Sequence, residues 1–120
     1  MIRVVVIDDE ELVAEACAMA LRRAGHEVSV AHDGASGLRL INDQLPDVVV
    51  SDIVMPDMDG CELAATLRAT PATARIPVLL ISGNIQPDEK ACDAFLPKPF
   101  VVRDLLEAVN RLATRGPAAP

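Results

Sequence analysis

Tryptophan and tyrosine are absent from these 120 residues, and phenylalanine occurs only twice. A protein of single-stranded nucleic acid needs aromatic platforms for base stacking, and a flavin carrier needs a ring to stack on the isoalloxazine. Neither is available. Basic charge is also scarce: 11 Lys and Arg face 18 Asp and Glu, for a net charge of −7. A phosphate backbone or an anionic membrane surface calls for a basic face, so neither is expected as a partner of this chain. No apolar run approaches the roughly 18 residues of a membrane span. The opening "MIRVVVIDD" turns acidic too soon for a signal peptide. Cysteine occurs three times, at Cys17, Cys61 and Cys92. An odd, widely spaced set fits neither a disulfide framework nor a zinc site. These are read as buried thiols in a reducing, cytoplasmic setting. Internal repeats and low-complexity segments are lacking as well.

What is present is a globular composition with 51% apolar residues and one domain's worth of chain. Short β-branched runs occur at 2–8, 27–31, 47–52 and 76–82, with a weaker fifth at 94–97. The first, third and fourth are almost continuously apolar, as strands covered on both faces are. Between them lie helical patterns. From Glu11 to Ala24, Leu12, Val13, Ala16, Cys17, Ala20 and Leu21 recur at spacings of three and four. Gly25 is placed to end that helix. Further helices are expected over 34–43, 60–70 and 101–115, the last with Val102, Leu105, Leu106, Val109 and Leu112 on one face. Alternating βα units imply an α/β fold: a doubly wound, five-stranded parallel sheet with helices on both faces. The domain is expected over 1–115. Residues 116–120, "GPAAP", read as a frayed tail or the start of a linker.

In such a sheet, ligands bind beyond the carboxyl ends of the strands. There the sequence places Asp8 and Asp9 after strand one, Asp52 after strand three, Ser82 after strand four and Lys98 after strand five. Three carboxylates in one shallow pocket either take up a proton or need a cation. Oxygen ligands with access to water suit Mg²⁺, with Mn²⁺ as its substitute. A carboxylate of Asp52 can attack phosphorus to give an acyl phosphate, with the metal and Lys98 screening the phosphoryl oxygens. Ser82 can donate to a phosphoryl oxygen that arrives only after transfer, the difference between states that a switch requires. Glu10 and Glu11 read as first-turn helix residues without a ligand role. His26 and His32 read as surface residues, and Met55 and Met58 as loop packing.

The stretches "IDDEE", "SDIVMPDMDG", "LLISG" and "AFLPKPF", in this order and at these strand ends, resemble the receiver domain of bacterial two-component response regulators. The resemblance runs from about residue 2 to 114. It implies the flavodoxin-like strand order 2-1-3-4-5. It implies that Asp52 is the phosphoacceptor, charged by a histidine kinase or a histidine phosphotransfer protein. Asp9 would bind Mg²⁺ directly, Asp8 partly through water, and the backbone carbonyl of Val54 would add a ligand. Lys98 would pair with the phosphoryl group, Ser82 would move toward it, and Phe95 would rotate inward in response. The Lys98–Pro99 bond is expected to be cis. Gly60 would let the loop after Asp52 turn into the third helix. Such a domain is no enzyme in the ordinary sense. It catalyses only its own phosphorylation and slow hydrolysis of the acyl phosphate, and it acts on a downstream protein target.

The sequence departs from that family in one place. Only eleven residues, 83–93, separate the fourth strand from the fifth. A whole crossover with its helix needs at least roughly 10–12. The helix between these strands is therefore expected to be shortened or absent, which alters the family's usual output face without touching the acidic site. A degenerate receiver serving as a phosphorylation-independent scaffold is the alternative function. A haloacid-dehalogenase-like phosphatase would want an acid two residues after Asp52, where Val54 stands. A flavin carrier would want Ser, Thr and Gly where "DDEE" stands.

Overall fold

β1 (Arg3–Ile7), β2 (Glu27–Ala31), β3 (Val48–Asp52), β4 (Val78–Ser82) and β5 (Ala94–Pro97) form one parallel sheet in the order β2-β1-β3-β4-β5. The computed structural model describes residues 2–83, 85–87 and 90–115. The expected tail at 116–120 lies outside them. Register along the centre pairs Val4 with Val28 and Val48, and Val50 with Leu79. Every residue of β3 and β4 is buried. The period of two along a strand sends alternate side chains to opposite faces. Val4 and Val6 join one apolar cluster beneath α1 (Glu11–Arg23) and α4 (Val102–Arg115). Val5 and Ile7 join the other, beneath α2 (Gly34–Gln44) and α3 (Gly60–Ala69). Both faces must be covered, which is why β1, β3 and β4 are almost continuously apolar rather than alternating.

Helix ends follow local chemistry. Asp33 caps α2 by accepting from Ser36 N–H at 2.7 Å, and Asp59 caps α3 by accepting from Glu62 N–H at 2.8 Å. Gly25, with φ +95, follows α1. α2 ends instead on Leu45, at φ 47, a left-handed conformation that a Cβ makes costly.

The buried face of α1 differs from the sequence expectation. Ala14, Cys17, Ala18 and Leu21 are buried, while Leu12 is 87% exposed and Ala16 is exposed. The apolar stripe is wider than one contact, and the smaller alanines take the sheet side. Leu12 and Ala16 instead line a groove of about 330 Å³ with Phe100, Val102 and Leu105.

None of the described residues between β4 and β5 is helical. A polar clamp holds the crossover. Arg68 of α3 pairs with the buried Asp93 carboxylate at 3.5 Å and donates to the Lys90 carbonyl, and Asp93 accepts from Val78 N–H at 2.7 Å.

Candidate functional site

β1 and β3 are neighbours, so the residues that end them stand side by side at the rim. Asp8 N–H donates to the Ala31 carbonyl, which keeps Asp8 in the sheet's frame. Asp52 is the last residue of β3, and Ile53 N–H still reaches the Ile81 carbonyl at 3.0 Å. Both acids are buried, at 4% and 6% exposure. Lys98 arrives from β5, its N–H bonded to the Ser82 carbonyl at 2.9 Å and its peptide to Pro99 cis. Its Nζ lies 3.4 Å from Oδ2 of Asp8 and 3.4 Å from Oδ2 of Asp52. These are ion pairs rather than short hydrogen bonds, with one ammonium shared by two carboxylates.

Charge at this rim is unbalanced. Oxygens of Asp8, Glu10 and Asp52 all lie within 4.8 Å of one another, against the single ammonium. Burial pushes the Asp8 carboxyl up, and the charge of Asp52 adds to it; the Glu10 N–H and Lys98 pull the other way. Burial alone would lower the pKa of Lys98, but Asp8 and Asp52 outweigh it and raise it. An excess of hard oxygen donors, partly open to water through the exposed Glu10, is a donor set that fits a small divalent cation such as Mg²⁺.

A sequence profile for the response regulator receiver domain matches residues 4–110. The chain belongs to the response regulator receiver family. This receiver is 34% identical over 130 aligned residues to the response regulator MprA of Mycobacterium sp. (strain KMS), covering 99% of the present chain and 56% of that protein. It thus spans about half the length of the curated relatives it matches. Among solved structures, the receiver domain of Francisella response regulator 1452 superposes with a TM-score of 0.87 at 32% identity, covering 96% of this chain and 98% of that one. A chemotaxis response regulator of Vibrio cholerae gives a TM-score of 0.85 at 29% identity, covering 93% and 98%. The receiver fold places the molecule in two-component signalling. Among the described residues no helix is long and apolar enough to cross a membrane.

The sequence-predicted residues fall at this rim in different ways. Asp8, Asp52 and Lys98 meet. Ser82 is buried at the end of β4, and its Oγ accepts from Ile85 N–H at 3.1 Å. Phe95, half-buried on β5, packs against the cluster under α2 and α3. Val54 is 49% exposed just beyond Asp52. Asp9 is exposed and stands outside the group formed by Asp8, Glu10 and Asp52. Gly60 sits where an added Cβ would meet the Asp52 carbonyl oxygen at 2.5 Å and Leu80 Cδ2 at 2.9 Å. Absence of a side chain there, rather than a left-handed backbone, lets α3 start against β3.

Four residues make contacts or take positions that were not anticipated. Glu10 joins the acidic group, although its run of neighbouring acids looked like a helix start. His32 is exposed, as expected, but its Nδ1 lies 3.1 Å from the Asp8 carbonyl. His26 departs from expectation, for both of its ring nitrogens are buried without a partner among the described residues. Asp57 accepts from the first two N–H groups of α2, at 2.9 and 3.0 Å. Only the last had a possible signal, an acid in a Pro-Asp turn with nothing local to cap.

Proposed function

We propose that this receiver accepts a phosphoryl group on Asp52 from the histidine of a kinase or a phosphotransfer protein. In the transfer, an Asp52 carboxylate oxygen attacks phosphorus and the bond from phosphorus to the donor's imidazole nitrogen breaks. The imidazole then takes up a proton. Mg²⁺ would be held by Asp8, Asp52 and the Val54 carbonyl, with Glu10 close by and Asp9, which stands outside that group in this structure, turning its exposed side chain inward to join them; when bound it would neutralise charge on the phosphoryl oxygens. Lys98 is poised to pair with a phosphoryl oxygen because it already sits between Asp8 and Asp52. Ser82 and Phe95 would convert that new charge into a change of surface for a downstream protein. The domain would promote its own phosphorylation and the slow hydrolysis of the product, and no other turnover.

The observation that carries this reading is the placement of the Lys98 ammonium at equal distance from two buried carboxylates at adjacent strand ends. A scaffold indifferent to phosphorylation needs no such costly convergence of buried charge. The groove beside Leu12 offers a protein donor an apolar contact: its lining includes Leu12, near the start of α1, and Phe100, two residues after Lys98. Acetyl phosphate with Mg²⁺ should add one phosphoryl group by intact mass, and Asp52→Asn should abolish the gain. A label that persists on Asp52→Asn would identify a different acceptor. A wild type that never gains mass from any donor would favour the scaffold.

A further inference from the structure

The loop over residues 53–59 carries Val54 and joins the acceptor strand to α3. Gly60 N–H closes it onto the Ile53 carbonyl at 2.8 Å. Its middle is held from outside. Oδ1 of Asp57 accepts from Gly34 N–H at 2.9 Å, and Oδ2 accepts from Ala35 N–H at 3.0 Å. Next to it, Met58 lies over Gly34 so closely that an added Cβ would stand 2.8 Å from Met58 Cγ and 3.0 Å from Sδ. One polar contact, from Asp57, and one apolar contact, from Met58, therefore fasten adjacent loop residues to the same end of α2.

α2 needs Asp57 only for the buried Gly34 amide. Its own cap, Asp33, already serves Ser36 N–H at 2.7 Å, and water can reach the exposed Ala35 amide. The beneficiary is the loop. Ile53 and Met55 root the first half of the loop in the core, but Val54, Pro56 and Asp57 are exposed; the exposed part is otherwise free to sample several backbone conformations, and a carbonyl that must face a cation cannot. The N–H groups of Gly34 and Ala35 lower the pKa of the Asp57 carboxyl, which favours its ionised, accepting form.

We propose that Asp57, seated on Gly34, is a positioning residue that fixes the loop bearing Val54 and thereby sets the affinity of the rim for a divalent cation. This rests on the metal site proposed above. Residues that orient ligands commonly govern affinity by about 10–100-fold.

The test is calorimetric titration of MgCl₂, and of MnCl₂ in parallel, into the full chain. Wild type should bind; if it does not, the metal reading fails and the role of Asp57 falls with it. Given wild-type binding, Asp57→Ala should raise Kd about tenfold, Asp57→Asn should raise it less because one oxygen acceptor remains, and Gly34→Ala should raise it by displacing Met58. Asp33→Ala removes a cap from the same helix end without touching the loop and should leave Kd within about twofold of wild type. Labelling by acetyl phosphate should show the same split: Asp57→Ala needs more Mg²⁺ for half-maximal rate but reaches the wild-type maximum. Unchanged affinity in Asp57→Ala would overturn the proposal. So would equal losses in Asp33→Ala and Asp57→Ala, which would mark a general loosening of α2. If Asp57→Ala does not fold, Asp57→Asn decides: wild-type affinity there, with Gly34→Ala also unaffected, counts against the role.

Discussion

Replacing Lys98 with Met would remove the ammonium and keep most of the aliphatic stem. Each Lys98 ion pair, at 3.4 Å, is worth about 5 kcal/mol of attraction at an effective dielectric of about 20. Asp8 and Asp52, with oxygens within 4.8 Å, repel by at least about 3.5 kcal/mol on the same scale. The ammonium thus outweighs the repulsion, and its loss leaves two buried carboxylates facing each other. Breaking one side of a buried charge cluster commonly costs about 3–5 kcal/mol net. Lys98 keeps 22% side-chain exposure, so about 3 kcal/mol is expected near neutral pH.

The sign with pH follows from the shifts. Asp8 is raised when folded, so its contribution is full below its unfolded value of 3.8 and is lost as pH rises through the folded value. Without Lys98 that folded value climbs further, and acid should repair the variant by protonating Asp8. In wild type, the contribution of the raised Lys98 is full below 10.5 and is lost only as pH rises through its folded value. Urea unfolding followed by far-UV circular dichroism suits a chain without Trp or Tyr. At about pH 7.5 the midpoint of Lys98→Met should fall by about 1–2 M. The deficit should shrink at about pH 5, and also in millimolar MgCl₂. A deficit of the same size under all three conditions would mean that packing of the stem, not charge, explains Lys98.

Gly37→Ala places a Cβ 2.4 Å from Ile7 Cδ1 and should cost about 1–3 kcal/mol by the same unfolding assay. Adding Ile7→Val, which deletes that atom, should recover part of the loss; simple additivity would refute the clash. Leu45→Gly should stabilise the fold by about 1 kcal/mol in thermal melts by relieving the left-handed residue after α2, and a lower melting temperature would show that the Leu45 side chain matters more than its backbone. Leu12→Asp should slow transfer from a phosphohistidine protein at least about tenfold while labelling by acetyl phosphate stays near wild type. Equal slowing with both donors would remove the groove from donor recognition.

Periodicity was enough to place strands and helices, because a strand buried on both faces must be apolar at every position and a helix must repeat near 3.6. Asp8, Asp52 and Lys98 were legible for a related reason: each directly follows such a run, and parallel strands deliver their carboxyl ends to one rim. The short span of 83–93 likewise leaves little room for a helix, and none of its described residues forms one. The helix faces were less legible. α1 offers more apolar positions than the sheet can cover, and only packing decides that Ala14 and Ala18 go inward while Leu12 stays out.

The order of residues along the chain by itself determined the sheet, its acidic rim and the lysine that answers it, since those depend on local pattern and on the direction of parallel strands. Tertiary structure alone decided which acids share the site and what holds the loop beside them. Glu10 joins Asp8 and Asp52, and Asp57 reaches back 23 residues to the Gly34 amide. Contacts of that kind depend on where separate elements come to rest in space, and the spacing of residues in a chain carries no record of it.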